Sequence, residues 1–156
     1  MSMELKVIPI VQVAIAAILM TLLQYFLPAL SYSGAISPST NSILVMLLLF
    51  IAILIGFFAI DSFRKHQTTV NPSKPETSSK VVDNGIYQYS RNPMYLAMLL
   101  LLISYACYLE NPLTLAIVGL FVWYIGKYQI TPEERILTSL FGQAYSDYKN
   151  SVRRWL

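Results

Sequence analysis

Between Val7 and Ile60 the chain carries no Asp, Glu, Lys or Arg. A membrane-crossing helix needs about 20 consecutive apolar residues, and this run has room for two. The remaining composition points the same way: 56% of the 156 residues are hydrophobic and only 12% are charged, where a soluble domain carries roughly 25% charged residues. The sequence therefore reads as an all-α, integral membrane protein forming one domain. The first apolar segment does not read as a cleavable signal, because it lacks a strongly basic start and is too long.

Four transmembrane helices are expected. The first runs from about Val7 to Leu30, with Pro9 and Pro28 near its ends, and the uncharged link Ser31–Asn41 contains Gly34 and Pro38. The second runs from about Ser42 to Ile60. Asp61–Asn92 is a polar connecting segment rich in Ser, Thr, Pro and Lys. The third span starts near Pro93 and ends by Leu109, Glu110–Pro112 make a tight turn, and the fourth runs from Leu113 to about Tyr128. The last two are short, which predicts a compact hairpin, tilted or partly buried. The chain thus divides into two N-terminal spans (1–60), a connecting segment (61–92) and a hairpin with C-terminal helices (93–156).

Charge orients the arrangement, since basic residues stay on the cytosolic side. Lys6 precedes the first span; Arg64, Lys65, Lys74, Lys80 and Arg91 lie in the connecting segment; Lys127, Arg135, Lys149, Arg153 and Arg154 follow the fourth. With four spans all of these share one side, and Glu110 alone marks the other. Both termini are expected in the cytosol. Tyr25, Tyr32, Tyr105, Tyr108, Trp123 and Tyr124 are expected interface anchors. Beyond the fourth span, Ile136, Leu137, Leu140 and Phe141 form an apolar stripe at helical spacing, Gly142 is a stop, and a second amphipathic piece carries Tyr145, Tyr148 and Val152. This tail is expected to lie on the cytosolic membrane face or against the span ends. The net charge of +3 suggests orientation in a membrane rather than nucleic acid as a partner.

Most familiar chemistry is absent. One histidine, His66, and one cysteine, Cys107, do not make an ordinary zinc site, and no glycine-rich phosphate loop appears. Cys107 reads as a buried inert thiol. The polar residues that remain cluster in Ser79–Tyr95 and Gln129–Glu134. In Arg91-Asn92-Pro93, Asn is a good N-cap and Pro fits the first helical position, with Arg91 reaching lipid headgroups. The same helix start offers free N–H groups to a carboxylate. In Thr131-Pro132-Glu133-Glu134, Thr131 and Glu134 spell a capping box, whereas Glu133 is not needed for the cap. On the residues alone, capping suffices for both segments. Together they are able to line one pocket between the hairpin and the tail.

"VVDNGIYQYSRNPMYLAM", the "NP" of the hairpin turn and "PEERILTSLFGQAYSDYKNSVRRWL" resemble the isoprenylcysteine carboxyl methyltransferase family, as a prokaryotic member related to the phospholipid methyltransferases. The hallmarks are a G-x-Y…R-H-P-x-Y-x-G segment and a downstream Glu-Glu followed by F-G-x-x-Y-x-x-Y. The resemblance covers about Val70 to Leu156; Val7–Ile60 matches only as generic membrane helix. It implies a membrane enzyme that transfers methyl from S-adenosylmethionine. It also implies that Ser79, Lys80, Val81, Val82, Tyr87, Asn92, Pro93, Met94, Tyr95 and Glu133 bind the cofactor. By the same resemblance Arg91 and Glu134 are catalytic, Gln129 and Arg91 contact the substrate, and no metal is involved. Three positions depart from the family pattern. Asn92 stands where His is usual and does not titrate near neutrality. Ala97 stands where Gly is usual, which narrows a close helix contact. Gln129 stands where the eukaryotic enzymes have an arginine associated with the substrate carboxylate, and a neutral amide holds a carboxylate less strongly.

The expected function is methyl transfer at the cytosolic face of a prokaryotic cell membrane, to a lipophilic small-molecule or prenylated acceptor reached from the membrane lipids. In-line transfer from a sulfonium is a positioning task, and a carboxylate or free amine needs no strong base. Phospholipid N-methylation keeps the cofactor and changes the acceptor. An NADPH-dependent membrane reductase and a non-catalytic membrane scaffold remain as further alternatives.

Overall fold

The computed structural model describes residues 7–32, 34–65 and 80–156, and every regular element among them is helical. The main helices are α1 (Pro9–Phe26), α2 (Pro38–Lys65), α3 (Pro93–Leu109), α4 (Thr114–Ile125), α5 (Thr131–Phe141) and α6 (Gln143–Ser151). Proline opens α1, α2 and α3; the first helical position has no intrahelical use for its N–H, so the missing donor costs nothing there.

Helices α1 and α2 are long and apolar enough to cross a membrane. Their outward faces carry exposed Ile10, Ile18 and Phe26 on α1 and Ile43, Met46, Phe50 and Phe57 on α2. A surface this apolar is costly in water and at home in lipid. Helix α3 has 17 residues and α4 has 12. At about 1.5 Å per residue, both fall short of a hydrocarbon core about 30 Å thick.

Helices α1, α3 and α4 share one core, centred on Ala16, Met20, Leu102, Ala106, Val118, Phe121 and Ile125. Helix α2 packs along α3. Ser104 Oγ donates to the Val45 carbonyl at 2.9 Å, and a Cβ built on Gly56 would lie 3.7 Å from the Ala97 Cβ. Gly56 therefore leaves room for Ala97 where the family pattern has glycine. Gly56→Ala is expected to change thermal stability little, because 3.7 Å is ordinary contact. Gly56→Leu overpacks the same place and is expected to cost about 1–3 kcal/mol, readable by chemical denaturation in micelles.

The hairpin turn ties the other helices together at one end. Glu110 adopts a left-handed φ of 52°, and its carboxylate accepts Asn41 Nδ2 at 2.9 Å. Asn111, fully buried, donates to Gln24 Oε1 and to the Leu27 carbonyl at 2.9 and 3.1 Å. A second apolar cluster lies at the opposite end: Ala59 of α2, Val82 and Tyr87 of the connecting segment, and Tyr145 and Tyr148 of α6. The C-terminal tail thus packs against the span ends, as one of the two sequence expectations had it.

Several boundaries differ from expectation. Helix α2 continues beyond Ile60 to Lys65. An Asp61–Lys65 pair one turn apart, 2.6 Å, and two basic residues in the last turn favour the helix C-terminus. Helix α4 does not stop before Thr131. A π-helical segment, Gly126–Ile130, joins it to α5 with helical backbone throughout. Pro132 has no N–H to give the preceding turn, and the π segment lies directly before it. Gly142, with φ 55°, ends α5 as expected. Cys107 is half-buried and not fully enclosed.

Candidate functional site

The two polar segments meet at the end of the bundle where α3 begins and α5 follows the π segment. Tyr95, on the first turn of α3, donates its hydroxyl to Glu133 Oε1 at 2.5 Å. Gln129, within the π segment, donates its amide to the same oxygen at 2.6 Å. Both donors are buried, Gln129 completely, while Glu133 is half-buried. Glu133 Oε2 accepts no hydrogen bond from a described residue. Burial pushes the Glu133 carboxyl from 4.5 up to about 7; the two hydrogen bonds act against that rise and the charge of Glu134 adds to it.

The start of α3 supplies donors beside this acceptor. Asn92 occupies the N-cap position, but its side chain does not cap. It donates instead to the Arg154 carbonyl at 3.0 Å. The Met94 and Tyr95 amides of the first turn are left without an acceptor among the described residues. Unsatisfied first-turn amides at the positive end of a helix attract carboxylates.

The expected capping box at Thr131 and Glu134 does not form. Thr131 lies inside a continuous helix and its hydroxyl donates to the Gly126 carbonyl at 2.8 Å. Glu134 points to two arginines instead. Arg91 Nη2 donates to Oε1 at 2.9 Å, Arg154 Nη2 to Oε2 at 2.6 Å and Arg154 Nε to Oε1 at 3.2 Å. The side chains of Arg91 and Glu134 are only 10% and 7% exposed. Arg91 does not reach toward lipid headgroups. Its Nη1 donates to the Lys149 and Val152 carbonyls at 2.6 and 3.1 Å, and its own amide to the Arg153 carbonyl at 3.0 Å. Arg91 Nε is buried and donates to no described residue.

Of the other residues singled out in the sequence, Val81, Val82, Tyr87 and Met94 share the apolar cluster next to this site. The Tyr87 phenol is raised above the usual tyrosine range by burial, with Tyr148 and Glu133 adding to the rise, and its carbonyl accepts the Tyr148 hydroxyl at 2.8 Å. Pro93 is buried at the first position of α3. Lys80 is exposed. Ser79 and His66 lie outside the described residues. No group of three or more His, Cys, Asp or Glu able to hold a metal occurs among the described residues. Arg154 is the residue that sequence reading missed; its only signal was the charge pair Arg153-Arg154 beside Trp155, and no periodicity shows that one of the two turns inward.

The pattern that defines the phospholipid methyltransferase family matches residues 40–144. Over 94 residues the chain is 33% identical to a protein-S-isoprenylcysteine O-methyltransferase of Dictyostelium discoideum, covering 60% of this chain and 40% of that protein. Over 136 residues it is 25% identical to protein-S-isoprenylcysteine O-methyltransferase A of Arabidopsis thaliana, covering 87% of this chain and 69% of that one. An uncharacterised protein of Haemophilus influenzae is 44% identical over 63 residues, 40% of this chain and the whole of that protein. The chain therefore spans well under half the length of the Dictyostelium relative.

Proposed function

We propose a function that proceeds from one premise: the chain belongs to the phospholipid methyltransferase family. It is an S-adenosylmethionine-dependent methyltransferase that works at the cytosolic membrane face on a lipophilic acceptor of the isoprenylcysteine-carboxylate kind. The observation that carries the reading is the junction of Tyr95, Gln129 and Glu133, which joins two sequence-distant segments around one half-buried carboxylate.

The groups present fit the cofactor. A ligand with hydroxyls, an ammonium and a carboxylate needs both acceptors and donors. Glu133 Oε2 is an acceptor with no protein partner among the described residues, and the Met94 and Tyr95 amides are donors with none. When bound, S-adenosylmethionine supplies an activated methyl group for in-line attack. Tyr95 and Gln129 fix Glu133 so that Oε2 receives the ligand's donors. Lys80 and Asn92 complete the polar wall, and Val81, Val82, Tyr87, Pro93 and Met94 form the apolar one; Ser79, outside the described residues, is a further contact by resemblance alone. Arg91 and Glu134 serve the acceptor side, where the unused Nε–H of Arg91 is a donor for it. Excluding water from an ionised nucleophile and holding it in line is the catalytic task.

The chain crosses the membrane four times, with α3 and the α4–π segment as the short hairpin and both ends cytosolic. The supporting observation is charge. Arg64, Lys65, Lys80 and Arg91 flank the end where α2 finishes and α3 starts, whereas Glu110 sits at the hairpin turn.

One observation favours a second acceptor class, the amine of a phospholipid headgroup. Gln129 is neutral, fully buried and turned onto Glu133, so it brings no positive charge to an acceptor carboxylate. Methyl label followed from S-adenosylmethionine into membranes separates the two. Base-labile methyl ester on a prenylcysteine analogue is the expected product. Label in lipid headgroups moves the assignment to the second acceptor, and label in neither contradicts both.

A further inference from the structure

We propose that Arg154 is a positioning residue for methyl transfer, setting the spacing between the two walls of the cofactor cradle. The inference rests on the reading of that cradle given above. One wall is α5, where Glu133 stands beside Glu134. The other is the start of α3, where Asn92 precedes the free amides of Met94 and Tyr95.

Arg154 reaches both walls with different atoms. Its guanidinium takes both carboxylate oxygens of Glu134, at 2.6 and 3.2 Å. Its main-chain carbonyl accepts Asn92 Nδ2 at 3.0 Å and Ser90 Oγ at 3.5 Å. Ser90 Oγ in turn accepts the Asn92 amide at 3.1 Å. Among the described residues no other one bonds both Glu134 and Asn92. Asn92, drawn to the tail in this way, is kept off the first-turn amides it would otherwise cap. The tail thus leaves those amides open to a ligand.

The contact is built for placement more than for stability. The Arg154 side chain is 37% exposed, and a partly exposed ion pair adds little to folding. Arg91 holds the tail independently, through the Lys149, Val152 and Arg153 carbonyls. A planar fork fits a carboxylate two-to-two, and the ammonium of lysine does not. Loss of the fork therefore leaves the tail attached and leaves α5 held to the start of α3, among the described residues, by Arg91–Glu134 and Tyr95–Glu133 alone, with Glu134 Oε2 released and the spacing of the two walls less tightly set.

The test is the affinity of purified, detergent-solubilised full-length protein for S-adenosylhomocysteine, with Arg154→Ala and Arg154→Lys beside wild type. A misplacement of this kind is expected to weaken binding by about tenfold or more in Arg154→Ala, with Arg154→Lys intermediate. The Michaelis constant for the methyl donor should rise likewise, with a smaller change in kcat. A purely structural role lowers the melting temperature and leaves both constants of the folded protein unchanged, and that result overturns the inference. Wild type that binds no S-adenosylhomocysteine overturns the cradle itself. Wild type that binds while both variants bind equally well overturns only the role of Arg154. Should neither variant fold, hydrogen exchange in wild type decides: ligand must protect the amides of both 90–95 and 152–156, and protection of the first alone contradicts the proposal.

Discussion

Glu134→Ala is expected to lower folding stability by about 3–5 kcal/mol. The substitution removes the one carboxylate that pairs with Arg91, whose side chain is 10% exposed. The guanidinium then remains in place with two carbonyl partners and no counter-charge among the described residues. A buried charge stripped of its partner is the costly case; a buried pair replaced as a whole is not. Denaturant titration in mixed micelles, followed by tryptophan fluorescence, reads the loss. Trp155 packs against the core of α1, α3 and α4, so it reports release of the tail directly. A loss below about 1 kcal/mol, the range of exposed pairs, would mean that water reaches Glu134 and that the clasp is not closed.

Glu133→Gln is expected to do the reverse: little harm to the fold and a large loss of ligand. Glutamine keeps the shape and can still accept from Tyr95 and Gln129, but it offers an amide where Oε2 stood. A hydrogen bond to a charged group contributes about 1.5–3 kcal/mol, so affinity for S-adenosylhomocysteine should fall by roughly ten- to hundredfold. The raised carboxyl gives this prediction a pH signature. Between 4.5 and about 7 the folded state keeps a proton on Glu133 that the unfolded chain has released. Stability from this group is therefore fully present at low pH. It falls as pH rises through that window and levels off above it. The loss amounts to about 1–3 kcal/mol, the upper figure applying to a site closed to water. Glu133→Gln should abolish this slope and so be the more stable protein at pH 8. Ligand affinity should run the other way in wild type, rising with pH through about 7 as the carboxylate forms. A wild-type affinity independent of pH from 6 to 8 would remove Glu133 from the ligand's contacts.

The opposed outcomes at adjacent residues explain how much of the molecule was legible in the sequence. Apolar length and proline placement located α3 from Pro93 to Leu109, because a helix that starts on proline and ends at a polar turn is set by local chemistry. The family pattern placed Glu133 and the Asn92–Tyr95 turn side by side without geometry. What local reasoning could not supply was the use of Thr131 and Glu134. A capping box and a continuous helix demand the same residue types. The choice between them is made by distant partners, Arg91 and Arg154, and by a π turn at Gly126–Ile130 that no periodicity announces. The same π turn seats Gln129 one helical turn before Glu133, where its amide donates to the carboxylate, a contact that no sequence spacing announces. Asn92 illustrates the same limit. Its N-cap position was readable, but its bond to the tail required the fold.

Calorimetric titration of the purified, folded protein with S-adenosylhomocysteine at pH 7.5 tests the central claim most directly. The account predicts saturable one-to-one binding that is lost or strongly weakened in Glu133→Gln. Absence of binding heat from protein that remains folded and monodisperse would contradict it.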